Sequence, residues 1–154
     1  MAAAPQPGDL VIDGLLYRWV PNTDLSFDYQ ENKPSKLAFR PDKGESGISV
    51  FLVALLNGPG DVVYDLPGYG VCEFTAQQFL AEVRRLRERK DNKFDQDVTI
   101  HYEPTPQPVK GRAHCYIQPM PAIVQKALYK RVATMTPGFP PAPAAAGFDP
   151  ERDP

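Results

Sequence analysis

The sequence predicts an α+β domain in which a mainly antiparallel sheet carries two packed helices. Three observations lead to this prediction. Apolar runs of strand length recur along the chain, two segments show helical periodicity, and 18 prolines are too many for a compact all-helical domain. The domain is expected to span residues 9–135, with disordered tails at residues 1–8 and 136–154, because both ends are rich in proline and small residues.

The first half of the domain is predicted to form strands. Residues 9–20 contain two short apolar runs about Asp13-Gly14, a dipeptide typical of a two-residue hairpin turn. Residues 48–56 follow a glycine-rich loop and carry a single polar side chain, so they are expected to form an inner strand, with a short core helix as the alternative. Residues 62–64 are interpreted as another short strand.

The second half supplies both helices. Thr75 and Gln78 form a capping-box pattern that predicts a helix from residue 75 onward. Strands are expected at residues 98–102 and 113–117, joined by a proline-rich loop that cannot form a strand ladder. Pro121 is well placed near the first position of the second helix.

Composition excludes several functional classes. The formal net charge of −2 gives no overall electrostatic case for nucleic acid or for an anionic membrane. No apolar run approaches the ~18 to 20 residues of a membrane span, and the N-terminus lacks the pattern of a secretory signal. Cys72 and Cys115 lie in apolar segments without metal-ligand spacing and are expected to be buried core residues. A cytoplasmic location is therefore expected.

The two histidines form one candidate site. If Tyr102 and Ala113 close the proline-rich hairpin, His101 faces His114 on the neighbouring strand. Such a pair could bind a metal or move protons in phosphodiester cleavage, but a one-residue slip in register would separate the rings. Because no carboxylate or thiol stands beside them at ligand spacing, we predict no metal site and no cofactor.

A second candidate site combines Ser35, Ser49 and His114 as possible catalytic residues with Arg40 and Arg18 as ligand-binding residues. Ser49 is a hydroxyl in an apolar strand and could be a nucleophile beside a base, or simply a donor to the backbone. Arg40 adjoins the glycine-rich loop, where it could hold a phosphate or carboxylate. The alternative for Arg18 is a purely structural role, as an edge arginine whose aliphatic stem lies along the sheet.

The basic run over residues 84–93 suggests a nucleic-acid surface, but acidic residues interleave with it and no aromatic side chain accompanies it. A solvated helix end is the preferred interpretation, and a nucleic-acid partner is not expected.

The chain resembles a family of small uncharacterised bacterial proteins over roughly residues 16–133. The resemblance rests on a set of short matches, namely Leu16-Tyr17-Arg18, Ser35-x-x-Ala38-Phe39-Arg40-Pro41, Ile48-Ser49-Val50, Gly68-Tyr69-Gly70-Val71 and His114-x-x-Ile117. Cys115 stands where the resemblance leads us to expect alanine. The resemblance implies a part of a multi-gene bacterial system of the defence or toxin type, and it transfers no established activity.

Two hypotheses on function follow. The first is a non-enzymatic accessory or protein-interaction domain that acts with other proteins of the same bacterial system, as the missing catalytic motif and the proline-rich segments suggest. The second is a small enzyme acting on a phosphate- or nucleotide-bearing substrate, with Arg40 as anion clamp and His114 as acid or base. The second hypothesis requires Arg40, Ser49 and His114 to line one concave cavity.

Overall fold

The computed structural model describes residues 4–91 and 94–143 and confirms the predicted α+β class. A mostly antiparallel sheet of six strands has the order β6-β7-β4-β1-β5-β8, and a separate pair of short strands, β2 and β3, lies outside it. The strands are β1 (Leu15–Val20), β2 (Phe27–Asp28), β3 (Lys33–Pro34), β4 (Ile48–Leu52), β5 (Gly70–Thr75), β6 (Thr99–Tyr102), β7 (His114–Gln118) and β8 (Thr134–Met135).

The apolar run after the glycine-rich loop is an inner strand, as predicted. Strand β4 lies between β7 and β1, and its alternate residues Ile48 and Val50 are buried on the side of the main core. The run does not remain extended to residue 56, because a 3₁₀ turn begins at Val53. Ser49 and Phe51, which alternate with Ile48 and Val50 along the strand, face the opposite side of the sheet.

The predicted hairpin about Asp13-Gly14 is wrong. Strand β1 is already paired on both edges, with β4 and with β5, so it has no free edge for a preceding strand. Residues 8–11 instead pair with the sheet's edge strand β6, where the amide of Val11 donates to the carbonyl of Ile100 at 2.8 Å. The expected strand at residues 62–64 is also wrong, since helix α1 (Gly60–Val63) occupies this position.

Two longer helical segments pack on one face of the sheet, as predicted. Helix α2 (Ala76–Arg87) begins with the predicted capping box, in which Thr75 Oγ1 accepts from the amide of Gln78 at 3.0 Å. Helix α3 (Ala122–Ala127) continues into a π-helical turn at Leu128–Val132. Their buried side chains, Phe79, Val83, Leu86, Val124, Ala127 and Leu128, join the main core. Within the described part of the chain, no helix is both long enough and apolar enough to span a bilayer.

Residues 136–143 belong to the predicted disordered tail, but they lie along β5. The amide of Thr136 donates to the carbonyl of Val71 at 2.9 Å, and the amide of Val71 donates to the carbonyl of Phe139 at 2.9 Å. Gly70 permits this close approach, because a Cβ at Gly70 would lie 2.6 Å from the Phe139 carbonyl oxygen. Phe139 also packs with the apolar cluster on this side of the sheet. The remaining tail residues, 1–3 and 144–154, lie outside the described residues.

Candidate functional site

A cavity of about 420 Å³ opens on the face of the sheet away from α2 and α3. We call it the serine cavity. It is lined by residues of strands β1, β4 and β7, of the glycine-rich loop before β4, and of the segment after β6. These residues are Arg18, Trp19, Arg40, Asp42, Glu45, Gly47, Ile48, Ser49, Glu103, His114, Tyr116 and Gln118. Arg18, Arg40, Ser49 and His114 therefore meet in one concavity, as the second hypothesis requires.

The central contact of the serine cavity joins Ser49 to His114. Ser49 Oγ lies 2.7 Å from His114 Nε2, across the neighbouring strands β4 and β7. Both side chains point to the same face of the sheet because Ser49 is aligned with Tyr116, two residues beyond His114. The distance is that of a hydrogen bond between a nucleophile and its base.

The main chain of Glu103 sets the tautomer of His114. Nδ1 of His114 lies 2.7 Å from the carbonyl oxygen of Glu103, which can only accept a hydrogen bond. Nδ1 therefore carries the proton and donates it to this carbonyl. In the neutral ring, Nε2 is then the acceptor for the Ser49 hydroxyl. An edge-on contact with Phe51, whose ring centroid lies 5.7 Å away, further limits the rotation of the imidazole.

Arg18 is buried beneath the serine cavity. Its side chain is 6% exposed, and it donates from Nε to the carbonyl of Ala38 at 3.2 Å and from Nη1 to the carbonyl of Ser49 at 2.8 Å. Within the described part of the chain it forms no ion pair. Burial lowers the pKa of Arg18 to about 10, so the guanidinium stays charged at neutral pH. Arg18 is thus a fixed, buried cation, and it is not an edge arginine whose stem lies along the sheet.

Tyr116 ties the glycine-rich loop to the wall of the cavity. Its hydroxyl donates to Glu45 Oε2 at 2.8 Å and accepts from the amide of Gly47 at 2.9 Å. Burial, followed by the hydrogen bond to Glu45, raises the pKa of Tyr116 above its usual value. Gly47 is required at this point because a Cβ there would overlap the carbonyl oxygen of Ile117. The loop is therefore held against β7, at the mouth of the cavity.

The charges around the serine cavity are mixed. Arg18 and Arg40 contribute two positive charges, and three acidic residues, Asp42, Glu45 and Glu103, also line it. Arg40 is exposed, and within the described residues it forms no ion pair. The arrangement suits a ligand group with a single negative charge better than one with two, because the carboxylates oppose additional negative charge.

A buried lysine supports the segment that precedes β7. Lys110 is 2% exposed; Nζ donates to the Val62 carbonyl at 2.9 Å and pairs with Asp65 Oδ1 at 2.7 Å. Nζ also lies 5.3 Å from the centroid of Trp19 and 5.8 Å from that of Phe51, the ring beside His114. The proline-rich loop is consequently anchored at its C-terminal end, close to the serine cavity.

Ser35 does not belong to the serine cavity. It lines a separate shallow depression near β2, together with Asp28 and Tyr29, and its amide donates to the carbonyl of Ser26. Its candidacy as a catalytic residue beside His114 is therefore wrong. The chain turns sharply between Ser35 and Arg40. Because residue spacing does not reveal this turn, the sequence could not exclude Ser35 from the site.

The expected facing pair of histidines is also wrong. His101 is aligned with Tyr116 and Tyr102 with Cys115, so the hairpin is offset by two residues from the predicted register. His101 Nδ1 lies 3.2 Å from Thr99 Oγ1, on the same strand. Because side chains alternate with a period of two, this offset keeps His114 on the predicted face of the sheet. The residue opposite His101 is then Tyr116 and not His114.

Sequence reasoning missed Tyr116, Glu45 and the Glu103 carbonyl. Tyr116 could have been found, since it alternates with His114 along β7 and so must share its face. The role of the Glu103 carbonyl depends on the exact hairpin register, which no local pattern reveals.

Both cysteines are buried and free, as predicted. Burial raises the pKa of Cys72 and of Cys115 to about 12 in each case. Neither thiol lines the serine cavity. Among the described residues, no group of three or more histidine, cysteine or acidic side chains is arranged to hold a metal ion.

Comparison of this chain with models of protein families, with curated proteins and with solved structures found no match.

Proposed function

We propose that the protein is an enzyme that cleaves a small phosphodiester, with Ser49 as nucleophile and His114 as its base. The observation that carries this proposal is the 2.7 Å contact between Ser49 Oγ and His114 Nε2 inside a cavity that also holds a buried arginine. A serine hydroxyl is a weak nucleophile by itself and needs an adjacent base.

Three groups support this proposal, namely the Ser49 hydroxyl, the His114 imidazole and the Glu103 carbonyl. His114 accepts from Ser49 through Nε2, and its other nitrogen is held by the Glu103 carbonyl. A main-chain carbonyl in the orienting position keeps the ring in the correct tautomer, and it stabilises the imidazolium that forms when the proton is transferred. This arrangement supports His114 as general base, and then as general acid.

The two arginines supply the binding site for the anion. A planar guanidinium matches the geometry of phosphate oxygens and stays charged, and Arg18 is already oriented by two carbonyl acceptors. Arg40 is exposed at the rim and can close on a ligand. A phosphodiester carries one negative charge, whereas a phosphomonoester carries close to two at neutral pH. The three acidic side chains that line the cavity therefore favour the diester.

The proposed reaction has two steps. Ser49 Oγ attacks phosphorus and its proton passes to His114 Nε2, while the bond from phosphorus to the first leaving oxygen breaks. That oxygen lies opposite Ser49 in an in-line displacement, so it takes a proton from solvent and departs as an alcohol. Water then attacks phosphorus and gives up a proton to solvent, while the imidazolium of His114 protonates Ser49 Oγ as its bond to phosphorus breaks, which releases a phosphomonoester and restores the hydroxyl.

A substrate panel tests the proposal with purified protein. We expect hydrolysis of bis(p-nitrophenyl) phosphate in preference to p-nitrophenyl phosphate, and loss of turnover by about 10²- to 10⁴-fold in Ser49→Ala and in His114→Gln. Ser35→Ala is the matched control, because this serine lies outside the cavity, and it should retain full activity.

Covalent labelling provides an independent measurement. A fluorophosphonate probe should attach to Ser49, as located by peptide mass spectrometry, and the label should disappear in His114→Gln. If no diester is hydrolysed and Ser49 takes up no label, the proposal is overturned. If p-nitrophenyl acetate is the only substrate that is hydrolysed, the reaction is acyl transfer and not phosphoryl transfer.

The interaction-domain hypothesis rests on one additional observation. Leu10 and Ile12 are 59% and 66% exposed and lie on the segment that pairs with the edge strand β6. Exposed apolar side chains beside a sheet edge suit a partner that adds a strand. Co-purification with products of neighbouring genes, compared between the native chain and Leu10→Asp/Ile12→Asp, tests this second function; capture that survives both substitutions would contradict it.

A further inference from the structure

A second cavity lies between the two longer helical segments, on the side of the sheet opposite the serine cavity. It has a volume of about 340 Å³ and shares no lining residue with the serine cavity. One wall comes from α2 and the turn after it, and the other from α3 and the π-helical turn. The lining residues are Glu82, Arg85, Leu86, Arg89, Ile123, Lys126, Ala127, Lys130 and Arg131. We call it the cationic groove.

Helical spacing explains why these residues meet. Residues 82, 85, 86 and 89 are separated by three and four positions, and residues 123, 126, 127, 130 and 131 follow the same pattern. Side chains at such spacings share one face of a helix. Packing of both helices on the sheet then places the two faces against each other, with Leu86 and Ala127 buried at the floor.

The groove carries a local excess of positive charge in a chain whose formal net charge is −2. Among the described residues, five cations line it, Arg85, Arg89, Lys126, Lys130 and Arg131, against a single acid, Glu82. Arg89 also pairs with Asp91, which lies outside the groove. Cations in the last turn stabilise a helix by themselves. That effect accounts for cations on each helix, but it does not explain why cations of two separate helices line the same cavity.

Glu82 holds part of the cationic wall in place. Arg85 makes a bidentate contact with it, with Nη2 2.6 Å from Oε1 and Nε 3.1 Å from Oε2, and Arg131 approaches to 4.0 Å. The hydrogen bond from Arg85 holds the pKa of Glu82 below its usual value. One carboxylate thus positions two guanidinium groups, while Lys126 and Lys130 form no ion pair within the described residues.

We propose that the cationic groove binds a compact polyphosphate group, either free or as part of a nucleotide. Each cationic row spans about one helical turn, roughly 5 to 6 Å. That length suits a few linked phosphates, and it is short for nucleic-acid binders that make about 6 to 10 phosphate contacts. No aromatic side chain of the described residues lines the groove to stack a base, so the recognised part is the phosphate chain.

Isothermal titration at low salt tests this site with inorganic tripolyphosphate as the probe. We expect saturable binding that weakens as salt is added. Lys126→Gln/Lys130→Gln should bind about tenfold more weakly, since both lysines face the groove and would contact the anion directly. The matched control is Arg84→Gln/Lys90→Gln, which removes the same number of charges from residues that do not line the groove and should bind like the native chain.

Parallel titrations separate the sources of the phosphate chain. ATP that binds as tightly as tripolyphosphate would assign recognition to the phosphates alone, and tighter binding of ATP would add a contribution from the nucleoside. Absence of tripolyphosphate binding, equal weakening in both double variants, or binding of an oligonucleotide without binding of tripolyphosphate would overturn the proposal. Ser49→Ala should leave the binding unchanged, so the result is independent of the proposed catalytic reaction.

Discussion

The guanidinium of Arg18 donates from Nη1 to the main-chain carbonyl of Ser49 at 2.8 Å. Pairing between β1 and β4 is limited to Leu16 with Leu52 and Tyr17 with Phe51, so the ladder ends just before this point. The Arg18 side chain donates the hydrogen bond to the Ser49 carbonyl that a backbone amide would donate if the ladder continued. A single arginine thereby holds the strand that carries the nucleophile and lies at the base of the serine cavity.

Arg18→Lys should therefore lower stability as well as anion binding. A lysine cannot donate simultaneously from two fixed positions, so one carbonyl, of Ala38 or of Ser49, would lose its donor. We expect the free energy of unfolding to fall by about 1 to 3 kcal/mol. Urea denaturation measures it. Arg40→Lys is the matched control, because Arg40 is exposed and its replacement should change stability by less than about 0.5 kcal/mol.

The glycine-rich loop should not tolerate a side chain at Gly47. Gly47→Ala would bring a Cβ into overlap with the Ile117 carbonyl and within 2.8 Å of Gln118 Cβ, and would push the loop from β7. We expect a loss of about 1 to 3 kcal/mol in the free energy of unfolding. Gly58→Ala meets nothing within 4 Å and should be close to neutral. Thermal melts of the two variants compare them directly, and equal melting temperatures would contradict the assigned contact.

Removal of the buried ammonium at Lys110 should destabilise the domain. Lys110→Ala removes the pair with Asp65, the contact of Nζ with the Trp19 ring and the aliphatic stem, which should cost about 3 kcal/mol. Lys110→Met keeps most of the apolar stem, and Asp65 is exposed enough to be hydrated, so we expect a smaller loss. Denaturation of the two variants at pH 7 gives the comparison, and an equal loss in both would assign the effect to charge alone.

The same pair predicts a dependence on pH. The hydrogen bond from Lys110 holds the pKa of Asp65 below its usual value. A lowered folded pKa means that the stabilisation is complete above the unfolded pKa, about 4, and is lost as the pH falls through the folded value. The difference in stability between the native chain and Lys110→Met should therefore narrow below about pH 4. A constant difference down to pH 2 would exclude this ion pair as its source.

The two thiols should be inert in the folded protein. Burial raises the pKa of Cys72 and Cys115 to about 12, so the thiolate fraction at pH 8 is very small and access is blocked. We expect neither to react with Ellman's reagent until denaturant is added, when both should react. Rapid modification of the folded chain at pH 8 would contradict the assigned burial.

Local patterns in the sequence account for most of the architecture. The capping box at Thr75 predicts the start of α2, because the bonds that form it lie within one turn of the chain. Alternation of side chains predicts that Ile48 and Val50 are buried together, since the pleat of a strand has a period of two. The same alternation separates Arg18 from Trp19 and Tyr17 along β1.

Pairings between distant segments are decided by the tertiary structure alone. Asp13-Gly14 is a strong hairpin signal, yet β4 and β5 occupy both edges of β1 and the preceding residues pair with β6. Residues 136–143 look like a tail in sequence, but they satisfy donors and acceptors of β5 that β8 leaves open. Competition among strands for a limited number of edges is a property of the whole sheet.

By itself the sequence determined the α+β class, the helix that begins after Thr75, the buried run of β4, and a short set of polar candidates. Only the tertiary structure decided that Ser49 and His114, which are 65 residues apart, lie 2.7 Å from each other while Ser35 lies elsewhere. The reason is physical: helix caps and strand alternation depend on neighbours within a few residues, whereas a contact across β4 and β7 depends on the strand order and register set by the entire core.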